Sequence, residues 1–303
     1  MSVAEAADSR TGVVGVDLGS SVTDALLLPG DATAAPIHVR FDTAGRPPAV
    51  ALEAALEALG PAASRALSIG VTGGRSASLA GRAPVGHDGP LHVVGEPEAI
   101  GRGGLHLAGL GSALVVSCGT GTAMITAHAG VAGQGQRFAH ASGTPVGGGT
   151  LRALGGLLLG THDAHEIADL AAAGDAGRVD TTLGEVLGTG LGTLPAEATA
   201  VSLGRLAEGT HEVRREDLAA ALVTMVAQTI GLIAVNAARA HALPAVVMTG
   251  RIAMFPPVRF MFGAVFGVYG LTAMLHLPDG ADRATALGAA LAALDARERH
   301  PLR

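Results

Sequence analysis

Short apolar runs ending in small polar turns set the rhythm of the chain. Val13–Val16 is a β-branched run that stops at Asp17-Leu18-Gly19-Ser20-Ser21, and Val22–Leu28 resumes the apolar pattern. This spacing predicts a strand, a tight turn and a returning strand. Val50–Leu59 carries apolar residues at helical spacing and is stopped by Gly60-Pro61; Leu67–Val71 then reads as a strand ending in Thr72-Gly73-Gly74. Leu91–Val94 is strand-like and leads into Gly95-Glu96-Pro97-Glu98.

The design then repeats. Ala113–Ser117 predicts a buried strand, Gly119-Thr120-Gly121-Thr122 a second tip, and Ala123–Ala127 its return. Gly147-Gly148-Gly149-Thr150 opens a predicted helix over Leu151–Leu159. Leu218–Ala238 predicts a long helix, Ala245–Met248 a strand ending at Thr249-Gly250, and Ala284–Ala293 a closing helix. Two Gly/Ser/Thr tips about a hundred residues apart, with a Thr-Gly turn after a further strand, predict two similar lobes offering both tips to one ligand. That is the arrangement of the duplicated, actin-like (ribonuclease H-like) α/β ATPase fold. The expected division is an N-terminal lobe over 1–110 and a C-terminal lobe over 111–303.

Composition narrows the function. With 49% hydrophobic and 15% charged residues among 303, the chain is expected to fold on its own core without disulfides or metal. Net charge is −6 and aromatics are 2%, so neither a basic stripe nor a stacking platform for nucleic acid is expected. The chain has no lysine, so any phosphate contact falls to Arg, backbone N–H groups or Mg²⁺. The lone Cys118 suits a reducing cytosol, and the polar, acidic Met1–Arg10 has no signal-peptide pattern. Cytoplasmic location follows as an expectation. Leu218–Ala238 is long enough to cross a bilayer, but Thr224, Gln228, Thr229 and Asn236 interrupt it; a helix buried in the protein or in a dimer interface is expected instead.

Phosphoryl transfer needs phosphates held, charge neutralised and a hydroxyl aligned and deprotonated. Gly-rich tips let backbone N–H groups approach phosphate oxygens, and Thr120 and Thr122 add hydroxyls. Gly147, Gly148 and Gly149 open a helix whose free N–H groups suit an anion. Asp17 reads either as a carboxylate orienting Mg²⁺ through water or as a turn residue capping its own backbone. Glu96 reads either as a base for the hydroxyl proton or as a helix-N-terminal carboxylate favoured by the dipole, and Glu98 shares the second reading. His162 and His165 beside Asp163 and Glu166 lack the spacing of a zinc motif and are expected to be a solvated loop or helix start.

Val94-Gly95-Glu96-Pro97-Glu98-Ala99-Ile100-Gly101-Arg102-Gly103-Gly104-Leu105, then Leu114–Thr122, then Gly143-Thr144-Pro145-Val146-Gly147-Gly148-Gly149-Thr150 resemble the central motifs of type II pantothenate kinases. Gly174-Asp175, Val179-Asp180, Val201-Ser202-Leu203-Gly204 and Thr249-Gly250 extend the resemblance from about Val14 to Ala293. It implies a homodimer that uses ATP and Mg²⁺ to phosphorylate pantothenate, a small molecule; from the charge, the aromatic content and the interrupted 218–238 stretch, no nucleic-acid or membrane partner is expected. It places the general base at Glu96, and Asp17, Gly19, Ser20 and Ser21 at the phosphates. Gly119, Thr120, Gly121 and Thr122 fall at nucleotide and substrate, with Gly147–Gly149, Thr249 and Gly250 near the nucleotide. Two positions depart from the family pattern. Asp24 stands where the family has a Lys, and His140 stands where many members have a substrate-facing Arg. These leave open a different hydroxylated acceptor, or a lapsed sensor of nucleotide or coenzyme A.

Overall fold

The structure, a computed structural model, describes residues 12–31, 33–43, 45–82, 84, 87, 89–130, 135–209 and 213–299; the Met1–Arg10 expectation lies outside them. The chain divides into two compact units.

The first unit opens with β1 (Val13–Leu18), β2 (Val22–Leu28) and β3 (Ile37–Asp42), followed by α1 (Pro48–Leu59), α2 (Pro61–Ser64), β4 (Ile69–Thr72), β5 (Leu91–Val93) and α3 (Glu96–Ala108). Its sheet has the order β3-β2-β1-β4-β5. β1 and β2 are antiparallel, and β4 runs parallel to β1. The period-2 alternation sorts the strands' side chains onto two faces. Val14, Val16, Ala25, Leu27, Ile69 and Val71 pack with Leu52, Ala55 and Leu59 of α1. Gly15 and Gly70 point the other way.

The second unit comprises β6 (Ser112–Cys118), β7 (Thr122–His128), β8 (Arg137–Thr144), α4 (Gly148–Leu158), α5 (Ala164–Ala172), β9 (Thr181–Thr182), α6 (Leu183–Leu187), β10 (Thr199–Val201), α7 (Arg215–Ala240), β11 (Val246–Thr249), α8 (Pro256–Val268) and β12 (Leu275–His276). Its main sheet runs β12-β11-β6-β7-β8, the same topology as the first read from the opposite edge. β11 lies parallel to β6, as β4 does to β1. α7 is the unit's keel: Leu222, Val226, Ile230 and Ala234 recur every four residues and are fully or almost fully buried with Leu114, Val116 and Met248. About 67% of its apolar stretch lies inside the protein, as expected of a core helix.

The last helix, α9 (Ala284–Arg299), returns to the first unit. So do residues 127–139 at the far end of the β7–β8 hairpin. The division at 110/111 expected from sequence is therefore corrected at two places. The physical reason for the first lies in Gly15 and Gly70. A Cβ on either would run into the α9 backbone, at Ala286 and Ala290 for Gly15 and at Ala289 for Gly70. Glycine within a strand marks this kind of close approach, and here it seats α9 against β1 and β4.

Candidate active site

β1 extends two residues beyond its expected end, so Asp17 sits inside a strand and not in a turn. In the β1–β2 register Asp17 stands opposite Asp24, and Asp24 in turn stands opposite Arg40 of β3. Asp24 is partly buried and well satisfied: its Oδ1 lies 2.8 Å from His38 Nε2 and accepts from Arg40 Nε at 2.7 Å. Asp17 has no such support, for among the described residues no hydrogen bond reaches its carboxylate. The turn-capping reading of Asp17 thereby falls. Desolvation, then the nearby Asp24 and Glu96 carboxylates, push its pKa up to about 7.

Beside it in the parallel register stands Thr72 of β4, fully buried, with its Oγ1 lacking any partner. A buried, unsatisfied hydroxyl next to an uncompensated carboxylate is a costly pairing unless something else completes it. Both donors are hard oxygens, and the charges that act on the carboxylate, those of Asp24 and Glu96, are of its own sign. The set fits a Mg²⁺ ion that keeps much of its water and takes few protein ligands.

Glu96 is the first residue of α3, exposed, and Pro97 follows it within the first turn. Its neighbour Glu98 behaves differently: Glu98 Oε1 accepts from Arg102 Nε at 2.8 Å. The two carboxylates that the sequence left alike are thus separated. Glu98 is committed to packing, and Glu96 faces outward within electrostatic reach of Asp17.

The first tip, Gly19-Ser20-Ser21, is braced by Thr43, whose Oγ1 donates to the Gly19 carbonyl at 3.0 Å and whose N–H donates to the Ser21 carbonyl at 3.0 Å. No motif in the sequence pointed to Thr43. Its only signal is a polar residue just past β3 that the fold buries almost completely.

In the second unit the structure brings together the two glycine motifs that the sequence kept apart. Gly148 N–H donates to the Gly119 carbonyl, and Gly149 N–H donates to the Thr120 carbonyl, both at 2.8 Å. Gly147 N–H donates to Thr150 Oγ1 at 3.2 Å. A Cβ on Gly147 would stand 2.8 Å from Gly121 Cα, and one on Gly149 would stand 2.9 Å from the Thr120 carbonyl oxygen. These N–H groups therefore clamp the hairpin tip and are not free for an anion, which corrects the sequence expectation. Thr122 is corrected likewise: its buried hydroxyl donates to the Val146 carbonyl at 2.8 Å. Thr120 remains exposed at the tip.

Thr249 and Gly250 close the same end of the sheet. Thr249 Oγ1 donates to the Val116 carbonyl at 3.0 Å, and Gly250 N–H to the Ala281 carbonyl at 2.8 Å. Gly250 has a φ of +90°, and a Cβ there would lie 2.6 Å from the Cys118 carbonyl carbon. Gly73, at φ +99°, meets the Leu18 backbone in the same way. The pair confirms residue by residue that the second unit repeats the first. Cys118 is buried, and desolvation pushes its thiol up to about 12, so it carries no thiolate chemistry. His140 is exposed on β8.

Asp180 ties two further motifs together, its own and the 201–204 turn. Fully buried, it accepts from Leu203 N–H at 2.8 Å and from Thr199 Oγ1 at 2.9 Å, while desolvation raises its pKa. Asp180 thereby holds the 201–204 turn, in which Leu203 adopts φ 60°. Among the described residues no cluster of three or more His, Cys, Asp or Glu forms a metal cage.

Residues 112–256 match the Fumble family model. Pantothenate kinase 1 of Oryza sativa subsp. japonica is 35% identical over 142 residues, 45% of this chain and 20% of the relative. A 4'-phosphopantetheine phosphatase of Mus musculus is 30% identical over 139 residues, 45% of this chain and 16% of the relative. Pantothenate kinase 2 of Arabidopsis thaliana is 32% identical over 161 residues, 50% and 17%. The chain thus spans about a fifth or less of the length of these relatives. Among solved structures, an activator of 2-hydroxyisocaproyl-CoA dehydratase from Clostridium difficile with bound ADPNP superposes over 95% of this chain and 96% of its own, with TM-score 0.63 and 18% identity. A glucokinase from Streptomyces griseus in complex with glucose and AMPPNP does so over 94% and 99%, with TM-score 0.53 and 15% identity. At such identities the likeness establishes the fold, the duplicated actin-like α/β architecture.

Proposed function

We propose that this chain, whose residues 112–256 belong to the Fumble family of pantothenate-kinase-type proteins, is an ATP-dependent phosphotransferase acting on an alcohol, with pantothenate as its acceptor. The observation that carries the reading is the division of labour among its carboxylates. Glu98 and Asp24 are tied up in ion pairs, while among the described residues no ion pair holds Asp17 or Glu96, and Glu96 is close enough to Asp17 to raise its pKa.

Glu96 is the base. As the acceptor's hydroxyl oxygen bonds to the γ-phosphorus and the bond to the β-phosphate oxygen breaks, its carboxylate takes the hydroxyl proton. Asp17, with Thr72 beside it, is the group that would hold Mg²⁺, whose charge offsets that of the phosphates. The nucleotide-holding role goes to the uncharged tip at Gly119–Gly121, stiffened by Gly147–Gly149; Thr120 supplies the exposed hydroxyl. Family members from rice and Arabidopsis named as pantothenate kinases support the acceptor. Homodimerisation and a cytoplasmic site complete the proposal.

Glu96→Gln keeps the shape of the side chain and removes its basicity. It should lower kcat by about 10²–10⁴-fold, the usual worth of a general base, with ATP affinity nearly unchanged by calorimetry. Wild-type turnover in that variant would remove Glu96 from the role. A second reading, a kinase for another hydroxylated acceptor, is favoured by Asp24, which puts a carboxylate, bound to Arg40 and His38, at the first-hairpin position where the family has a Lys. Turnover of another compound but not of pantothenate across a panel of hydroxylated metabolites would select it. ATP binding without ADP formation under every acceptor would point to a lapsed sensor.

A further inference from the structure

The base proposed above stands at the very start of α3, where a small rotation or slide of the helix would swing it away from Asp17. Two kinds of contact hold α3. The first is smooth: Gly103 abuts the Ala284 carbonyl, and Gly288 of α9 abuts the Ala99 carbonyl, backbone against backbone. Such contacts set how near the helices lie, but they interdigitate little and resist sliding weakly.

The second contact is Arg102. Its side chain is only 8% exposed. Nε donates to Glu98 Oε1 at 2.8 Å, and Nη1 donates to Asp295 Oδ2 on α9. The guanidinium also lies over the Phe138 ring of β8, 5.6 Å from its centroid. Phe138 in turn fills the space that a Cβ on Gly101 would need. One planar, multi-donor group therefore joins α3, α9 and the β7–β8 hairpin, and its fork geometry fixes register in a way that glycine contacts do not.

From this arrangement, and resting on the assignment of Glu96 as base, we infer that Arg102 is the positioning residue for that base. By locking α3 to Asp295 it fixes where Glu96 points. By binding Glu98 it withdraws the second carboxylate of the same helical turn, so that one carboxylate alone is offered to the acceptor. The guanidinium borders a cavity of about 370 Å³ that Leu105, Phe138, Leu291 and Asp295 also line. Shortening the side chain opens the guanidinium's place onto that cavity, which gives a small cation in solution a way in.

The experiment compares wild type, Arg102→Ala, Arg102→Lys and Asp295→Asn by steady-state kinetics and by amide hydrogen exchange without substrates. Arg102→Ala should lower kcat about 10- to 100-fold, the loss that follows a misplacement near 1 Å, with KM for ATP within about twofold of wild type. Methylguanidinium at non-denaturing concentration should restore part of that kcat. Arg102→Lys should recover less than half of it, because an ammonium cannot bridge two carboxylates and a ring in one plane. Exchange should quicken in the first turn of α3 and not in α1. Should Arg102→Ala fail to fold, Asp295→Asn, which keeps the shape of the partner, should show the same losses in smaller measure. Unchanged kcat in a folded variant overturns the inference, and so does a loss shared equally by KM and by exchange throughout the first unit. If the wild type itself turns over no acceptor, the functional proposal fails, and exchange confined to the start of α3 still decides the role of Arg102.

Discussion

Asp17 makes a sharp prediction about stability and pH. In the unfolded chain its carboxyl titrates near 3.8; in the folded protein burial, Asp24 and Glu96 raise that to about 7. The folded state therefore binds the proton more tightly, and stability falls as pH rises from 3.8 to about 7. The cost is absent below that window and complete above it. At about 1.4 kcal/mol per pH unit, the ceiling is about 4 kcal/mol. Asp17 keeps some contact with water, so screening brings the expected figure to about 1–3 kcal/mol. Asp17→Asn removes the charge and keeps the shape. Urea unfolding in chelator-treated, metal-free buffer from pH 4.5 to 8 should show the variant gaining on wild type as pH rises, with the gap levelling above pH 7. A constant gap across that range would refute the claim that Asp17 is the strained carboxylate. A variant that loses ground as pH rises would show instead that a partner stabilises the ionised form.

Three further outcomes follow from particular contacts. Gly250→Ala forces an L side chain into φ +90° and against the Cys118 backbone, so the melting temperature should drop by an amount matching about 2–4 kcal/mol, a backbone penalty plus an overpacked contact. Thr43→Val removes the hydroxyl that braces Gly19 and meets Thr23 Oγ1, while keeping the shape and the N–H; calorimetry should show weaker ATP binding, and the fold should lose about 1–3 kcal/mol, since two hydrogen bonds are gone and the buried Thr23 hydroxyl loses a partner. Asp180→Ala strands the Leu203 N–H and the Thr199 hydroxyl, so limited proteolysis should begin at 199–205 well before the rest of the chain is cut.

Much of this architecture is legible in the sequence because it is local. The hairpins around residues 17 and 119 show as short continuous apolar runs broken by glycine-rich turns, and α7 shows as a long apolar stretch. The end of β1 is not legible. An Asp before Leu-Gly-Ser reads as a turn, and it is Arg40 and His38 on β3, opposite and diagonal to Asp24 respectively, that make a strand with facing aspartates tolerable. The return of α9 is equally hidden, since it depends on contacts between residues remote in sequence, such as Arg102 with Asp295. Its trace in the sequence is the pair of glycines, Gly15 and Gly70, set in otherwise bulky strands. Of the site, the residue types at Glu96, Asp17 and the glycine tips could be read, but not their states. Glu98 and Arg102 stand four apart, the spacing of a helical ion pair, so sequence could have set Glu98 aside. That Arg102 also reaches Asp295 could not be read at all.

Duplication has left the two units with one scaffold, charged at this position in the first and neutral in the second. Each ends its central strand beside a left-handed glycine, Gly73 against Leu18 and Gly250 against Cys118, because no side chain fits where the two strand ends meet. At the position of Asp17 in that scaffold the second unit has Ser117, paired with Thr249 as Asp17 is with Thr72. The hydroxyls diverge accordingly. Thr249 spends its proton on the Val116 carbonyl and is satisfied, whereas Thr72 is buried with nothing to bind. A closed hydrogen bond stiffens the second unit's uncharged tip, while the first unit retains an unfilled acceptor beside a carboxylate that resists ionising. If the unmet need at Thr72 belongs to the cation site, Thr72→Val should weaken Mg²⁺-dependent nucleotide binding without lowering the melting temperature, because an orphaned hydroxyl contributes nothing to the fold that a methyl would not. The matching Thr249→Val should do the reverse, lowering the melting temperature and sparing the Mg²⁺ dependence. Identical behaviour of the two variants would mean that the repeat is symmetrical in function, and the assignment of the charged chemistry to the first unit would fail.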